Sequence, residues 1–364
     1  MTRAAVLNIL GGPLEIRDVT LFDPGPDQVV VRTEAIPFCS TDHKSANGEL
    51  DKVPPTVLGH TVVGYVEDVG ATVANVAPGD HVVVPGTPEC RKCFYCGIGR
   101  PDQCSELFDQ GGIFPTVGTL DDGRTFTAAG NVGGYAERVL VSKNQVWRLE
   151  SDLPNTHLSM LGCGITTGVG AVLETAKVTP GSSVAIVGAG HLGQWMVQGA
   201  RIADAERIVV IDPHRERRSL ALALGATDVV DPTDTDPLEV VRSLTQDRGV
   251  DYAFEAAGPE DAFTTAFTLS RRAGTVVYTG FHRLGAEVTL PAGPLALHGR
   301  TLHSVQNGRI SMGAFIPKLT HLMNIGALDA RPILSTTYPL ASINDALSAS
   351  RTYTDVCGIV EPQK

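Results

Sequence analysis

The stretch from Ser182 to Asp212 constrains this chain more than any other. A short apolar run, Val184 to Val187, has the character of a buried parallel strand. Gly188, Gly190 and Gly193 follow in G-x-G-x-x-G spacing and open a helical pattern that runs to about Ala203. A second apolar run, Arg207 to Ile211, ends on Asp212. Gly188 permits a tight turn out of the strand, Gly190 lets a pyrophosphate approach the backbone, and Gly193 lets the helix pack close to the sheet. His191 and Leu192 lie inside the loop, where the N–H groups of the helix start face the phosphates. Asp212 stands about 20 residues beyond the motif, where a carboxylate accepts hydrogen bonds from an adenosine ribose. Three glycines alone are a weak signal; a strand before them, a helix after them and an acid at the end of the next strand make a dinucleotide site the expectation. A carboxylate at this place repels a 2′-phosphate, so NAD is expected over NADP, a preference that Arg215, Arg217 and Arg218 soften.

The alternation continues. Strands are expected at 184–187, 207–211, 227–230, 250–255, 274–279 and 301–305, and helices at about 191–203, 214–224, 236–246, 259–270 and 293–299. Such an order builds βα units on a parallel sheet with right-handed crossovers, the Rossmann type of doubly wound α/β fold. After Arg309 the pattern changes to a helix near 314–325, a strand near 333–338, a helix near 343–350 and a last strand at 356–360. This tail is expected to return to a β-rich first domain, whose period-2 segments lie between turns such as Gly11-Gly-Pro and Asp23-Pro-Gly-Pro-Asp. The expected division is 1–164 with 307–364 for the β-rich domain and 165–306 for the dinucleotide domain. Residues 105–134 read as a long loop or lobe near the substrate entrance.

A chain of 364 residues has ample core for two domains. With a net charge of −11 and no dense Lys/Arg run, nucleic acid and anionic membranes are not expected partners. No apolar run is long enough for a bilayer, and the N-terminal stretch reads as strand and turn, so a cytoplasmic location is expected. Four of the seven cysteines, Cys90, Cys93, Cys96 and Cys104, form C-x2-C-x2-C-x7-C. Four thiolates so spaced close around Zn²⁺ and fill its tetrahedron, so a structural zinc lobe is expected at 88–106. Cys39, His60 and Cys163 are each, taken singly, as readily a buried thiol or a satisfied histidine as a ligand, and spacing alone does not join them.

The set Cys39-x-Thr41-Asp42, Gly59-His60, Cys90/93/96/104, Leu161-Gly-Cys163-Gly and Gly188-x-Gly190-x-x-Gly193 resembles the zinc-dependent alcohol dehydrogenases of the medium-chain dehydrogenase family over nearly the whole chain. Gly162-Cys-Gly-Ile-Thr-Thr-Gly, Thr175-Ala-Lys-Val-Thr-Pro-Gly-Ser and Gly249-Val-Asp-Tyr-Ala-Phe-Glu255 resemble the branch with animal-type alcohol dehydrogenases and thiol-dependent formaldehyde dehydrogenases. The resemblance implies a GroES-like catalytic domain beside the Rossmann domain, and a catalytic zinc held by Cys39, His60 and Cys163 with one position left for an alcohol oxygen. It implies Thr41 as the hydroxyl that takes the alcohol proton, Asp42 as the partner that fixes the His60 tautomer, Leu192 behind the nicotinamide and Arg217 at the adenosine ribose. It implies two zinc ions and NAD as cofactors, a small alcohol or carbonyl substrate, and a homodimer or homotetramer, with edge-strand pairing near 301–310 as a route to association.

The chain departs from the family pattern in several places. Thr61 follows the zinc-ligand histidine where a glutamate is usual, which makes the metal site more electropositive. Ser40 replaces a basic residue that meets the pyrophosphate, a contact for which His191 is a candidate. His43 follows Cys39 at four residues rather than five or so, and reads either as a proton relay or as a surface residue. Gly86 stands where an aromatic often lines the pocket, which predicts room for a bulky or cyclic secondary alcohol, with Phe281 and His282 lining the same space. Cys357 reads as a core thiol. The alternatives are a thiol-dependent formaldehyde dehydrogenase and a redox-inactive member with a nucleotide-sensing or structural role.

Overall fold

The computed structural model describes all residues except 51, 109–113, 281, 282 and 284. Part of the expected 105–134 lobe and the pocket positions Phe281 and His282 therefore lie outside the described residues. The chain divides into two units, Met1–Cys163 with Ile310–Lys364, and Gly164–Arg309.

The first unit is built on antiparallel pairing. Gln28–Pro37 is its central strand: Val29, Val31, Thr33 and Ala35 are buried in alternation, as a pleated strand with one face on a core requires. It pairs with Thr61–Val69 on one side and with Arg138–Ser142 and Cys357–Glu361 on the other. The sheet continues through His81–Pro85 to Trp147–Arg148 at one end, and through Cys357–Glu361 to Leu334–Pro339 at the other. The C-terminal tail thus completes the sheet begun near the N-terminus. A closed barrel is formed by Thr2–Leu7, Leu14–Leu21, Thr116–Leu120, Thr125–Ala128 and Thr56–Val57. Two of those strands come from the segment expected to be an open loop or lobe. Leu120, Phe126 and Ala128 face the core, and the Asp121-Asp122-Gly123 turn joins the strands into a hairpin. A sequence dominated by turn residues concealed two short strands that pair with each other and, on their outer edges, with Leu14–Leu21 and Thr56–Val57 far away in the chain.

The second unit is a six-stranded parallel sheet in the order Asp228–Val230, Arg207–Ile211, Ser183–Val187, Val250–Glu255, Ser270–Tyr278 and Thr301–Ser304. In chain order this is 3-2-1-4-5-6, the doubly wound arrangement, and its strand order reverses between Ser183–Val187 and Val250–Glu255. The expected strands and helices all appear, with ends shifted by a few residues. The helix His191–Ile202 buries Trp195, Met196, Val197 and Ala200 against the sheet and the helix Gly164–Gly170. Gly168 makes that approach possible, since a Cβ there would stand 2.7 Å from the Trp195 Cβ.

The three glycines of the motif have three different causes. Gly188 has φ of +100° and packs on the next crossover, where a Cβ would lie 2.7 Å from the backbone of Ala257. A Cβ on Gly193 would lie 2.0 Å from the Gly188 carbonyl oxygen. Beside Gly190 the nearest heavy atom is Arg217 Nη1, 3.8 Å from the Cβ position, which leaves space above the backbone. Gly193→Ala is therefore expected to destabilise the chain by about 1–3 kcal/mol, the usual range for forcing an extra carbon into a packed core. Urea denaturation measures this, and an unchanged midpoint would contradict the close helix–loop packing.

Candidate active site

Two groups of metal-binding side chains lie among the described residues, both in the first unit. In each, the ligand atoms all fall within 4.8 Å of one another. The first is Cys90, Cys93, Cys96 and Cys104. Backbone N–H groups bend round these sulfurs: Cys93 N donates to Cys90 Sγ at 3.2 Å, Cys96 N to Cys93 Sγ at 3.5 Å and Cys90 N to Cys104 Sγ at 3.3 Å. Such donors stabilise thiolates, and those from Ser105 and Cys96 pull the Cys93 thiol down to about 6. Cys90 Sγ and Cys96 Sγ are 4.0 Å apart, close to the edge of about 3.8 Å of a tetrahedron with Zn–S bonds of about 2.3 Å. Four sulfur donors and no open position fit a structural zinc.

The second group is Cys39, His60 and Cys163, three donors that neither spacing nor periodicity connects. Cys39 lies two residues beyond the central strand and is the N-cap of the helix Ser40–Ala46. His60 sits at the turn before the strand Thr61–Val69, and Cys163 follows the 3₁₀ turn Ser159–Gly162. That turn can reach the strand because Gly162 has no side chain: a Cβ would collide with Thr61 Oγ1, at 1.7 Å. His60 Nε2 is 3.4 Å from Cys163 Sγ, again the edge of a zinc tetrahedron. The hydrogen bond from Cys163 holds the Cys39 thiol well below the ordinary thiol range, against the effect of burial. Burial opposes a charged His60, but the Asp42 carboxylate and the Cys39 sulfur outweigh it and lift the imidazole well above its usual value. The donors are thus arranged to surround a positive charge. Three donors rather than four fit a catalytic zinc with one position left for substrate.

Asp42 organises this cluster. Its side chain is 4% exposed. One oxygen accepts from Cys39 N at 3.0 Å, and the other takes Gly59 N and His60 Nδ1, both at 3.3 Å. With Nδ1–H committed to the carboxylate, Nε2 presents its lone pair to the metal position. Thr41 Oγ1 lies 3.5 Å from Cys39 Sγ, beside the cluster. Tyr135, which the sequence did not single out, is fully buried and stacks on Phe38; burial first, and the Asp42 charge second, push its phenol well above the usual range.

Two expectations need correction. His43 is two residues beyond Thr41, so on a helix it faces another way. Its Nδ1 lies 3.1 Å from Ser350 Oγ on the helix Ile343–Arg351, and the side chain is 9% exposed. His43 is therefore no surface residue; it is buried at the contact between the two helices. Gly86 does not open a pocket either. A Cβ there would stand 2.6 Å from Gly130 O and 2.8 Å from His60 O, so the glycine answers to a close approach of backbones. Thr61 Oγ1 is buried with no hydrogen-bond partner among the described residues, while Cys357 is a core thiol directed at the carbonyls of Phe38 and Gly358.

In the second unit, Arg217 reaches over the glycine loop as noted above. Gln194 Nε2 holds it there by donating to the carbonyls of Ala189 and Arg217 at 2.9 and 3.0 Å. Leu192 packs near Gly168, whose Cβ would lie 3.4 Å from Leu192 Cδ1. The His191 ring lies on Gly164, where a Cβ would come within 2.3 Å of Nε2, so that side chain is committed to helix packing. Asp212 Oδ2 accepts from Ala189 N at 2.8 Å, tying the second strand to the loop. Glu255, fully buried, accepts from Ala257 N and Gly258 N at 2.8 and 2.6 Å and from Gly280 N at 2.8 Å. It fixes the two turns beside the switch point. Sequence reasoning missed Glu255 because its donors come from two turns more than twenty residues apart.

Comparison with known proteins agrees with this geometry. Residues 25–151 match the family model described as Alcohol dehydrogenase GroES-like domain, and residues 192–321 match Zinc-binding dehydrogenase. An S-(hydroxymethyl)glutathione dehydrogenase of Escherichia coli O1:K1 / APEC is 33% identical over 356 residues, 95% of each chain. The structure of an alcohol dehydrogenase zinc-binding domain protein from Burkholderia ambifaria superimposes with a TM-score of 0.93 at 32% identity, covering 99% of this chain and 98% of that one. That of benzyl alcohol dehydrogenase from Acinetobacter calcoaceticus does so with 0.91 at 30% identity, covering 99% of each. The chain belongs to the zinc-dependent medium-chain alcohol dehydrogenase family, whose cofactors are zinc and NAD, and it is a zinc-dependent alcohol oxidoreductase.

The role given to Asp42 has a direct consequence. Asp42→Asn leaves one carbonyl oxygen for three donors and is expected to weaken zinc at the three-donor site by about 10–100-fold. Competition with a chromogenic chelator measures it: one zinc per chain should leave early while the four-cysteine zinc stays, and equal retention of both would contradict the assignment.

Proposed function

We propose that this chain is an NAD-dependent alcohol dehydrogenase acting on bulky alcohols, with the first unit as the catalytic domain and the second as the dinucleotide domain. One observation carries the reading: three donors from distant parts of the chain converge within 4.8 Å, with the Asp42 carboxylate behind the histidine. When bound, zinc supplies a Lewis acid that makes an alcohol acidic near neutral pH, and the dinucleotide supplies the hydride acceptor. Cys39, His60 and Cys163 hold the metal position, and Asp42 keeps the proton of His60 on Nδ1. Thr41 Oγ1 accepts the hydrogen bond of the alcohol O–H and hands its own proton on toward solvent as the alcohol proton arrives. In the second unit the open face of Gly190 admits the pyrophosphate, and Arg217 and Asp212 take the adenosine end.

The preference for a bulky alcohol draws its support from the likeness to benzyl alcohol dehydrogenase, since Gly86 does not supply it. The second reading, a thiol-dependent formaldehyde dehydrogenase, is favoured by the 33% identity to the S-(hydroxymethyl)glutathione enzyme. NADH absorbance followed with benzyl, cyclic and short-chain alcohols, and with formaldehyde in the presence and absence of glutathione, separates the two. The first predicts benzyl alcohol turnover at a kcat/KM at least about tenfold above ethanol, abolished by a chelator; oxidation of formaldehyde alone among these substrates, and only with glutathione, would establish the second. No NADH from any of them, at two zinc per chain, would overturn both.

The strand Thr301–Ser304 is the edge of its sheet, with Leu302 40% and nearby Leu297 83% exposed. An unpaired edge beside apolar side chains is a template for pairing, and we infer a homo-oligomer joined there in a cytoplasmic enzyme. Leu302→Lys is expected to lower the mass measured by light scattering toward that of one chain; an unchanged oligomer would place the interface elsewhere.

A further inference from the structure

Two of the three metal donors follow residues that meet one and the same tyrosine. Phe38, next to Cys39, stacks on Tyr135 with ring centroids 5.4 Å apart and planes 19° from parallel. Gly59, next to His60, pairs with the segment that carries Tyr135: Gly134 N donates to Gly59 O at 2.7 Å, and Tyr135 N to Leu58 O at 3.0 Å. A Cβ on Gly59, where φ is +85°, would stand 2.9 Å from Tyr135 N, so the two backbones meet without clearance. On its other side the Tyr135 carbonyl accepts from Ala5 N at 2.8 Å, in the barrel strand Thr2–Leu7. Tyr135 is thus tied by its backbone to the barrel and to the His60 turn, and by its ring to the residue before Cys39.

None of these ties needs the hydroxyl. Tyr135 is fully buried, and its oxygen makes no full hydrogen bond among the described residues. A phenylalanine would keep the stack and the backbone ties without burying a polar atom, and an unmet buried donor costs stability. The acceptor the hydroxyl approaches is Asp42: after burial, that carboxylate's charge and a hydrogen-bond contact with it do most to hold the phenol above its usual range. Asp42 has room for a further donor. Oδ1 takes both Gly59 N and His60 Nδ1, but among the described residues Oδ2 takes Cys39 N alone. A carboxylate oxygen has two lone pairs, so Oδ2 has one left.

We propose that Tyr135 is a positioning residue of the three-donor metal site: it braces the Cys39 and His60 segments against the barrel, and its O–H serves the Asp42 carboxylate as a fourth donor. This rests on the reading of Cys39, His60 and Cys163 as a catalytic zinc site. The action runs through Asp42. Both Oδ1 contacts are 3.3 Å, at the long end of the hydrogen-bond range, so they hold only while the carboxylate keeps its orientation. A fourth donor on the other oxygen restrains that orientation. Oδ1 then stays on His60 Nδ1, and Nε2 stays aimed at the metal position.

Tyr135→Phe removes one oxygen and keeps the ring. The two-zinc enzyme is put in competition with a chromogenic chelator as wild type, Tyr135→Phe, Asp42→Asn and the double variant. Tyr135→Phe is expected to weaken zinc at the three-donor site about 3- to 10-fold, less than the loss usual for a direct partner of a metal ligand. The four-cysteine zinc should stay within about twofold, which checks the fold. In the Asp42→Asn background the same change should cost less than about twofold, since two residues acting on one carboxylate are not additive. A tyrosine that only fills the core would give no such dependence on Asp42. Unchanged zinc retention in Tyr135→Phe, or its full loss repeated in the double variant, overturns the proposal and leaves the zinc site standing. A wild type that holds only one zinc per chain overturns the reading of that site together with the proposal.

Discussion

The first unit depends on one buried carboxylate. Asp42 accepts hydrogen bonds from the backbone of Cys39, the backbone of Gly59 and the ring of His60, so a single anion fixes two of the three metal donors and the tautomer of the histidine. The third donor is brought in by sterics: Gly162 lets the Ser159–Gly162 turn lie against Thr61 and carry Cys163 to the cluster. The arrangement separates two tasks. Hydrogen bonds set direction and protonation, and close packing sets distance. A buried carboxylate with that many donors is costly to leave partly satisfied, so the helix start at Cys39 and the turn at Gly59 are held as firmly as the site requires.

The second unit solves a similar problem with the same device. Glu255 collects three backbone N–H groups from two crossovers, and Asp212 ties the second strand to the glycine loop. In both units the functional loops leave the ends of well-packed strands and are then pinned by a buried acid. The loops gain rigidity without occupying the space a ligand needs, as the open face of Gly190 shows.

Structural and catalytic metal sites are distinguished here by donor number and by what surrounds them. Around Cys90, Cys93, Cys96 and Cys104 the supporting groups are local backbone N–H donors within one short lobe, so the fifteen-residue stretch carries its own geometry. Around Cys39, His60 and Cys163 the support comes from a carboxylate and a glycine contact far apart in the chain. The lobe stabilises a region with little apolar core; Phe94, Ile98 and Phe108 remain exposed on it.

The sequence alone determined the features whose physics is local. Strand–helix alternation from 183 onward, the three glycines of the loop and the four-cysteine lobe depend on side-chain periodicity, backbone freedom and metal-ligand spacing, all expressed within a few residues. Tertiary structure decided what depends on approach between distant segments. It converted the 116–128 segment into two barrel strands, turned Gly86 from an opened pocket into a backbone contact, and buried His43 against Ser350 instead of leaving it at the surface. It also brought Cys39, His60 and Cys163 together, which the sequence suggested only through resemblance. The reason is the same each time: a hydrogen bond or a van der Waals limit between separate segments leaves no periodic trace in the chain, and only the packed fold sets the distance.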